Sequence, residues 1–212
     1  MKTRILGKSV ITPQLSSDRE YRVGSIMYPR VSTVIDIVGT KLCSSCNGPA
    51  SSWEPPEEPT TVGNNFHDFA EMYMNGTATE AEWPTLHSLS GLMKKVLKLI
   101  KFPAGTRFYA ELPVFSEAAA TAGTIDLVLE RDGYVDIVDY KTGVKKRADG
   151  DQLRYYMAIL HSAGVPVKNA TAIYVDVAAG EIREAKGFFF SESSLHAALM
   201  IMKGAENIWR YK

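Results

Sequence analysis

Cysteine is scarce in this chain, two in 212 residues. Cys43 and Cys46 are too few for a disulfide framework, so the sequence suits a reducing cytosol and the expected location is cytoplasmic. Cys43-Ser44-Ser45-Cys46 is half of a zinc site without a second half, because His87, His161 and His196 lack matching ligand spacing. No apolar run is long enough to span a bilayer, and the first residues carry scattered charges rather than the apolar segment of a secretory signal. Neither sign of charge is in excess, with 24 Lys and Arg against 24 Asp and Glu. That balance argues against a surface that is basic as a whole, so a polyanion would have to be met by local clusters. Internal repeats are absent. What is present, a 45% hydrophobic composition, supports one domain over residues 1–212, with a lead-in and loop over 1–60 and the core from about residue 61.

The most informative stretch is a predicted β-hairpin. Gly123-Thr124-Ile125-Asp126-Leu127-Val128-Leu129-Glu130-Arg131 alternates as a strand, as does Tyr134-Val135-Asp136-Ile137-Val138-Asp139-Tyr140-Lys141. Asp132-Gly133 between them is the signature of a type I′ turn. A two-residue loop sets Arg131 opposite Tyr134, and stepping outward sets Asp126 opposite Asp139 with Cβ atoms ~5 Å apart. Lys141 points to the same face. Ile125, Leu127 and Leu129 lie with Tyr140, Val138 and Asp136 on the other. Like charges directly opposite destabilise a sheet, and a divalent cation would resolve the conflict. Two carboxylates on a rigid hairpin suit Mg²⁺ or Mn²⁺, and a lysine at the rim can orient or deprotonate an attacking water. A polar sheet face with Lys141 paired to Asp139 is the plainer alternative. Val128, Ile137 and Val135 share that face, however, so it is not simply solvated.

Elsewhere, residues 1–26 read as an extended or short-strand lead-in. Ser32 is a candidate N-cap of a short helix ending at Gly39. Residues 41–61, including Trp53-Glu54-Pro55-Pro56-Glu57-Glu58-Pro59, read as a loop able to serve as a lid. A helix is expected over 61–75, with Phe66, Phe69, Ala70 and Tyr73 buried, His67 at the stripe's edge and Gly76 as its stop. Residues 84–102 form an amphipathic helix with Leu86, Leu89, Met93, Val96 and Ile100 inside. Its Lys94, Lys95, Lys98 and Lys101 face either solvent or a phosphate backbone. Arg107–Phe115 is a strand with Glu111 near its middle. Lys145-Lys146-Arg147 is a basic loop beside the hairpin's end. Gln152 and Tyr156 share a face of a helix over 149–163 whose core stripe is Leu153, Met157 and Leu160. Strands over 169–178 and 183–190 and a final helix capped by Ser191 complete the chain.

Gly63 to His67 and Glu71, Gly123-Thr124-Ile125-Asp126, Asp139-Tyr140-Lys141-Thr142-Gly143 and Gln152 to Tyr156 occur in an order that resembles the PD-(D/E)XK nuclease superfamily. The resemblance is closer to its RecB-type nuclease domains, phage exonucleases and the mitochondrial genome-maintenance exonuclease, and it is strongest over about 60–160. It implies an α/β restriction-endonuclease-like core, a mixed central sheet flanked by helices. It implies His67, Asp126, Asp139 and the Tyr140 carbonyl as ligands of Mg²⁺ or Mn²⁺, with Lys141 and Glu111 completing the catalytic set. Gln152 and Tyr156 would contact the substrate backbone and support the site, and Lys145, Lys146, Arg147 and Ser32 would add DNA contacts. An edge-strand charge remains the alternative for Glu111, and a cap for Ser32. The family's iron–sulfur branch needs four cysteines and is excluded. The implied activity is a DNA exonuclease acting on single strands or accessible ends in recombination, repair or phage replication, with a single-strand annealing protein or helicase as company and no membrane partner. An endonuclease acting on DNA or RNA, a non-catalytic DNA-binding module and a purely structural metal site are the alternatives.

Overall fold

The structure, a computed structural model, describes residues 1–15, 21–41, 59–79, 86–102, 105–142 and 148–211. Strands β1 (Lys2–Ile5), β2 (Lys8–Ile11), β3 (Gln14–Leu15), β4 (Tyr21–Val23) and β5 (Ile26–Tyr28) precede helices α1 (Val31–Lys41), α2 (Pro59–Met74) and α3 (Leu86–Leu99). Then come β6 (Phe108–Ser116), β7 (Thr121–Glu130), β8 (Val135–Lys141), α4 (Ala148–Ser162), β9 (Val167–Asp176), β10 (Glu181–Phe188) and α5 (Glu192–Arg210). Seven strands form one sheet in the order β1-β2-β6-β7-β8-β9-β10, and β3-β4-β5 form a second. In the large sheet β8 and β9 are parallel and joined through α4, while the other pairs are antiparallel. That is the mixed sheet flanked by helices expected of a restriction-endonuclease-like α/β fold.

The central strands β7 and β8 are buried on both faces, which is why they read as nearly continuous apolar runs. Val128, Ile137 and Ala172 pack with Val31 of α1, Leu153 and Met157 of α4 and Met202 of α5. Leu127, Leu129, Val138 and Tyr140 pack on the other side with Phe66 and Phe69 of α2 and Leu92, Met93 and Val96 of α3. Burial on α4 is wider than the expected stripe and takes in Tyr155, Tyr156, Ala158 and Ile159, because β8, β9, α1 and α5 surround it.

The hairpin register holds from Glu130↔Val135 through Leu127↔Val138. Its turn is not type I′: Gly133 has φ 81°, but Asp132 is not left-handed. The Arg131 side chain reaches Asp136 Oδ2 at 3.0 Å and the Ile100 carbonyl at 3.2 Å, which ties the tip to the end of α3. Ser32 is not the cap of α1, since the helix begins at Val31 and the Arg30 carbonyl accepts from Val34 N–H. Gly39 lies inside that helix rather than at its end. Gly76 (φ 69°) does stop α2, with Thr77 N–H bonding the Met72 carbonyl and Gly76 N–H the Tyr73 carbonyl, a Schellman closure. β9 and β10 each start and end two residues earlier than expected. The Asp176 carboxylate accepts from Ala179 N–H and begins the turn there. Ser191 caps α5 as read.

Candidate metal centre

Beyond Leu127 and Val138 the sheet forks. β7 continues with β6 to Thr121, while β8 continues with β9 to Lys141. Asp126 and Asp139 are the first residues past the split, so the expected ladder pair between them does not form. The Oδ2 atom of Asp126 accepts instead from the Tyr140 backbone N–H at 2.6 Å. A carboxylate held by a main-chain donor separates two like charges that a continued ladder would have opposed.

Asp126 has a second acidic neighbour. The pairs Ala110↔Leu127 and Leu112↔Ile125 place Glu111 opposite it on β6. Glu111 has φ 45°, a left-handed backbone that costs a residue with a Cβ ~1–3 kcal/mol. Both strands change face here. Phe108 and Leu127 lie in the α2/α3 core, yet Leu112, Val114 and Ile125 lie in the α1/α4/α5 core. The expected grouping of Ile125 with Leu127 is therefore corrected: the change of face falls at the facing residues Asp126 and Glu111, of which Glu111 is left-handed. The reversal brings two carboxylates to the edge between the layers, within reach of α2.

His67 of α2 completes the group. Phe66 packs edge-on against Tyr140, with ring centroids 5.7 Å apart, and anchors this turn of the helix on β8. The Nδ1 atom of His67 is then 3.3 Å from Asp126 Oδ1 and 3.4 Å from Glu111 Oε1. One ligand atom from each of His67, Glu111 and Asp126 lies within 4.8 Å of the others. Burial works against the imidazolium, but the Asp126 carboxylate and then Glu111 outweigh it and push the His67 pKa up to about 11. Glu111 is itself raised, chiefly by burial and against the pull of His67.

Asp139 is fully buried and paired with Lys141, whose Nζ is 2.7 Å from Oδ2. The contact is an ion pair, and neither Asp139 oxygen has a further hydrogen-bond partner among the described residues. Burial pushes the Asp139 pKa up to about 7, with Lys141 opposing and Asp126 reinforcing. Burial would lower Lys141, but Asp139 and Asp126 raise it, so it stays an ammonium at neutral pH. Lys141 Nζ also donates to Gln152 Oε1 at 2.8 Å, and Gln152 Nε2 donates to the Tyr156 hydroxyl at 3.1 Å. Tyr156 fills the fork. A Cβ built on Gly123 would stand 2.6 Å from its ring and 3.1 Å from Val31, so the absence of a side chain at 123 lets the three meet.

Of the residues singled out in the sequence, His67, Asp126 and Glu111 converge on one point, and Asp139, Lys141, Gln152 and Tyr156 form a chain beside it. Ser32 is exposed in the first turn of α1. Lys145, Lys146, Arg147, Cys43, Cys46 and residues 42–58 lie outside the described residues. The sequence reading missed Tyr21, whose hydroxyl is 2.5 Å from Thr124 Oγ1. Burial raises that phenol, Arg30 lowers it, and Glu111 and Asp126 raise it again, so one hydroxyl feels all three charges. The visible signal was alternation in Tyr21-Arg22-Val23 and Ile26-Met27-Tyr28 around Gly24-Ser25. A hollow of about 680 Å³, lined by residues that include Gly105, Arg107, Glu130, Arg131 and Tyr134, lies at the hairpin tip, the other end of these strands. Its arginines are already paired, with Glu130 and Asp136.

A family model described as the PD-(D/E)XK nuclease superfamily matches residues 46–200. No curated protein matches the chain. Among solved structures, "Crystal structure of SSO0001" aligns at 12% identity and a TM-score of 0.35, over 70% of this chain and 69% of that one, and carries no inference about activity.

Proposed function

The chain belongs to the PD-(D/E)XK nuclease superfamily, and on that footing we propose that it is a Mg²⁺- or Mn²⁺-dependent DNA exonuclease. Its substrate would be single-stranded DNA or DNA with accessible ends, in recombination, repair or phage replication. The observation that carries this reading is the convergence of His67, Glu111 and Asp126 within 4.8 Å, next to a lysine held on a buried aspartate.

The donor set suits a divalent ion. Glu111 and Asp126 offer hard oxygens and His67 an imidazole, and both buried Asp139 oxygens lack a hydrogen-bond partner among the described residues. Asp139 and the Tyr140 carbonyl would complete the ligands. When bound, the ion supplies positive charge toward phosphate oxygens and makes a nearby water more acidic. The remaining chemistry belongs to side chains. Lys141, steered by Gln152 and Tyr156, presents an N–H to the attacking water or to a phosphate oxygen where charge builds. Gln152 thus acts first by fixing Lys141, and the Tyr156 hydroxyl fixes Gln152. The buried setting of Asp139 keeps water from screening the pair. Lys145, Lys146, Arg147 and Ser32 would add backbone contacts along the strand.

The test is incubation with 5′- and 3′-labelled single-stranded DNA, duplex DNA and RNA in Mg²⁺, Mn²⁺ or EDTA. Stepwise shortening of DNA from one end, abolished by EDTA, is the expected result. Internal fragments from a circular substrate would make it an endonuclease, and RNA cleavage alone would remove the DNA assignment. No cleavage of any substrate in either metal would refute the enzymatic reading.

A further inference from the structure

Among the described residues, the two cations beside the fork carboxylates are already committed. Lys141 serves Asp139 and Gln152, and His67 serves Glu111 and Asp126. A phosphodiester arriving among three carboxylates needs a positive group with no such claim on it. Arg30 fits. It is half-buried, and among the described residues no carboxylate pairs with it. Its backbone is pinned along the strand that carries Asp126. Arg30 forms a parallel bridge with Ala122, and the Pro29 carbonyl accepts from Ala122 N–H at 3.1 Å. Val31, next in sequence, is buried against the fork at Gly123. Tyr21 reaches the same place from β4, which pairs with β5 through Tyr21↔Tyr28, and bonds Thr124 two residues before Asp126. Both residues precede the 46–200 segment that matches the family model.

We propose that Arg30 binds a non-bridging oxygen of a substrate phosphate at the fork, with the Tyr21 hydroxyl beside it fixing the approach. The inference rests on the nuclease reading and adds a cation from outside the matched segment. The guanidinium is planar, permanently charged and able to give two parallel N–H donors to one phosphate, which the shorter-reaching point charge of lysine replaces only in part.

The experiment measures fluorescence anisotropy of a labelled single-stranded DNA with wild type, Arg30→Ala, Arg30→Gln and Arg30→Lys. Ca²⁺ serves as the divalent ion, and circular dichroism and thermal melts check folding. Loss of one charged hydrogen bond should weaken binding about 10- to 100-fold in R30A and R30Q. The slope of log K against log salt should become shallower by about 0.7, one phosphate's worth on a single strand. R30K should keep the slope and lose part of the affinity. A scan with single methylphosphonates, which remove one phosphate charge at a time, should find one position that wild type senses and R30A ignores. Unchanged affinity and slope in folded R30A and R30Q would overturn the proposal. So would an R30A that still senses every methylphosphonate as wild type does, because its defect would then be structural. Should wild type neither bind nor cleave DNA, the nuclease reading fails first. Should wild type cleave while R30A matches it, only Arg30 loses its role.

Discussion

In the metal-free protein at neutral pH, a divalent ion must displace a proton to enter. His67 stands between two carboxylates that hold its pKa at about 11, and only the neutral imidazole can be a ligand. Four units above pH 7, that proton costs the incoming ion about 5 kcal/mol. The apparent association constant for Mn²⁺ should therefore rise about tenfold per pH unit between about pH 7.5 and 9, as one proton leaves for each ion bound. Below about pH 7 the slope should steepen, because Asp139 then also begins to carry a proton. Calorimetric titration in pairs of buffers with different protonation heats counts the protons directly. His67→Gln should release about one fewer and lose most of the pH dependence. A wild-type count near zero in that window, or the same count in His67→Gln, would refute the placement of the ion on this histidine.

Gly123→Ala pushes a methyl into Tyr156 and Val31. It should cost about 1–3 kcal/mol in urea unfolding and lower turnover by displacing the Gln152–Lys141 chain. Unchanged stability and rate would show that the fork yields easily. Gln152→Ala should lower kcat at least about tenfold through a misplaced Lys141, with metal affinity and circular dichroism unchanged. Full activity would show that Asp139 alone orients the lysine. For Asp139, the folded pKa of about 7 lies above its ordinary value. Between about pH 4 and 7 the folded state thus holds a proton that the unfolded chain has released, and stability in EDTA falls as pH rises through that window. Asp139→Asn should flatten this part of the melting profile, and an equally steep fall in the variant would contradict it.

Alternation, turn residues and caps made much of the fold readable. Leu127, Val128 and Leu129 against Val138, Ile137 and Asp136 fixed the hairpin register, and Gly76 and Ser191 marked helix ends that the structure keeps. Periodicity assigns faces but not the residue at which a ladder stops. The fork after Leu127 and Val138 was therefore invisible, and Asp126 was set against Asp139 when the acidic residue opposite it in the sheet is Glu111. On β6 the pleat reversal falls at one left-handed glutamate, a conformation no propensity favours and only the surrounding packing enforces. Tyr21 was passed over, and Arg30 was read only as a neighbour of Ser32, because short strands in a lead-in give no clue to their distant partners. Their place follows from the β5–α1 junction lying along β7. Gln152 and Tyr156 were correctly placed on one helix face, but the hydrogen bond from Lys141 to Gln152 is tertiary and could be read only from coordinates.

The most direct test of the central claim, that the fork carboxylates hold the ion that drives hydrolysis, is single-turnover cleavage of labelled DNA by wild type and Asp126→Asn over a Mn²⁺ titration. Asp126 touches His67, faces Glu111 and accepts from Tyr140, so its loss should leave a folded protein whose cleavage is lower by about a thousandfold or more and is not restored by excess ion. Cleavage by Asp126→Asn at the wild-type rate and the wild-type ion concentration would place the chemistry elsewhere on the molecule.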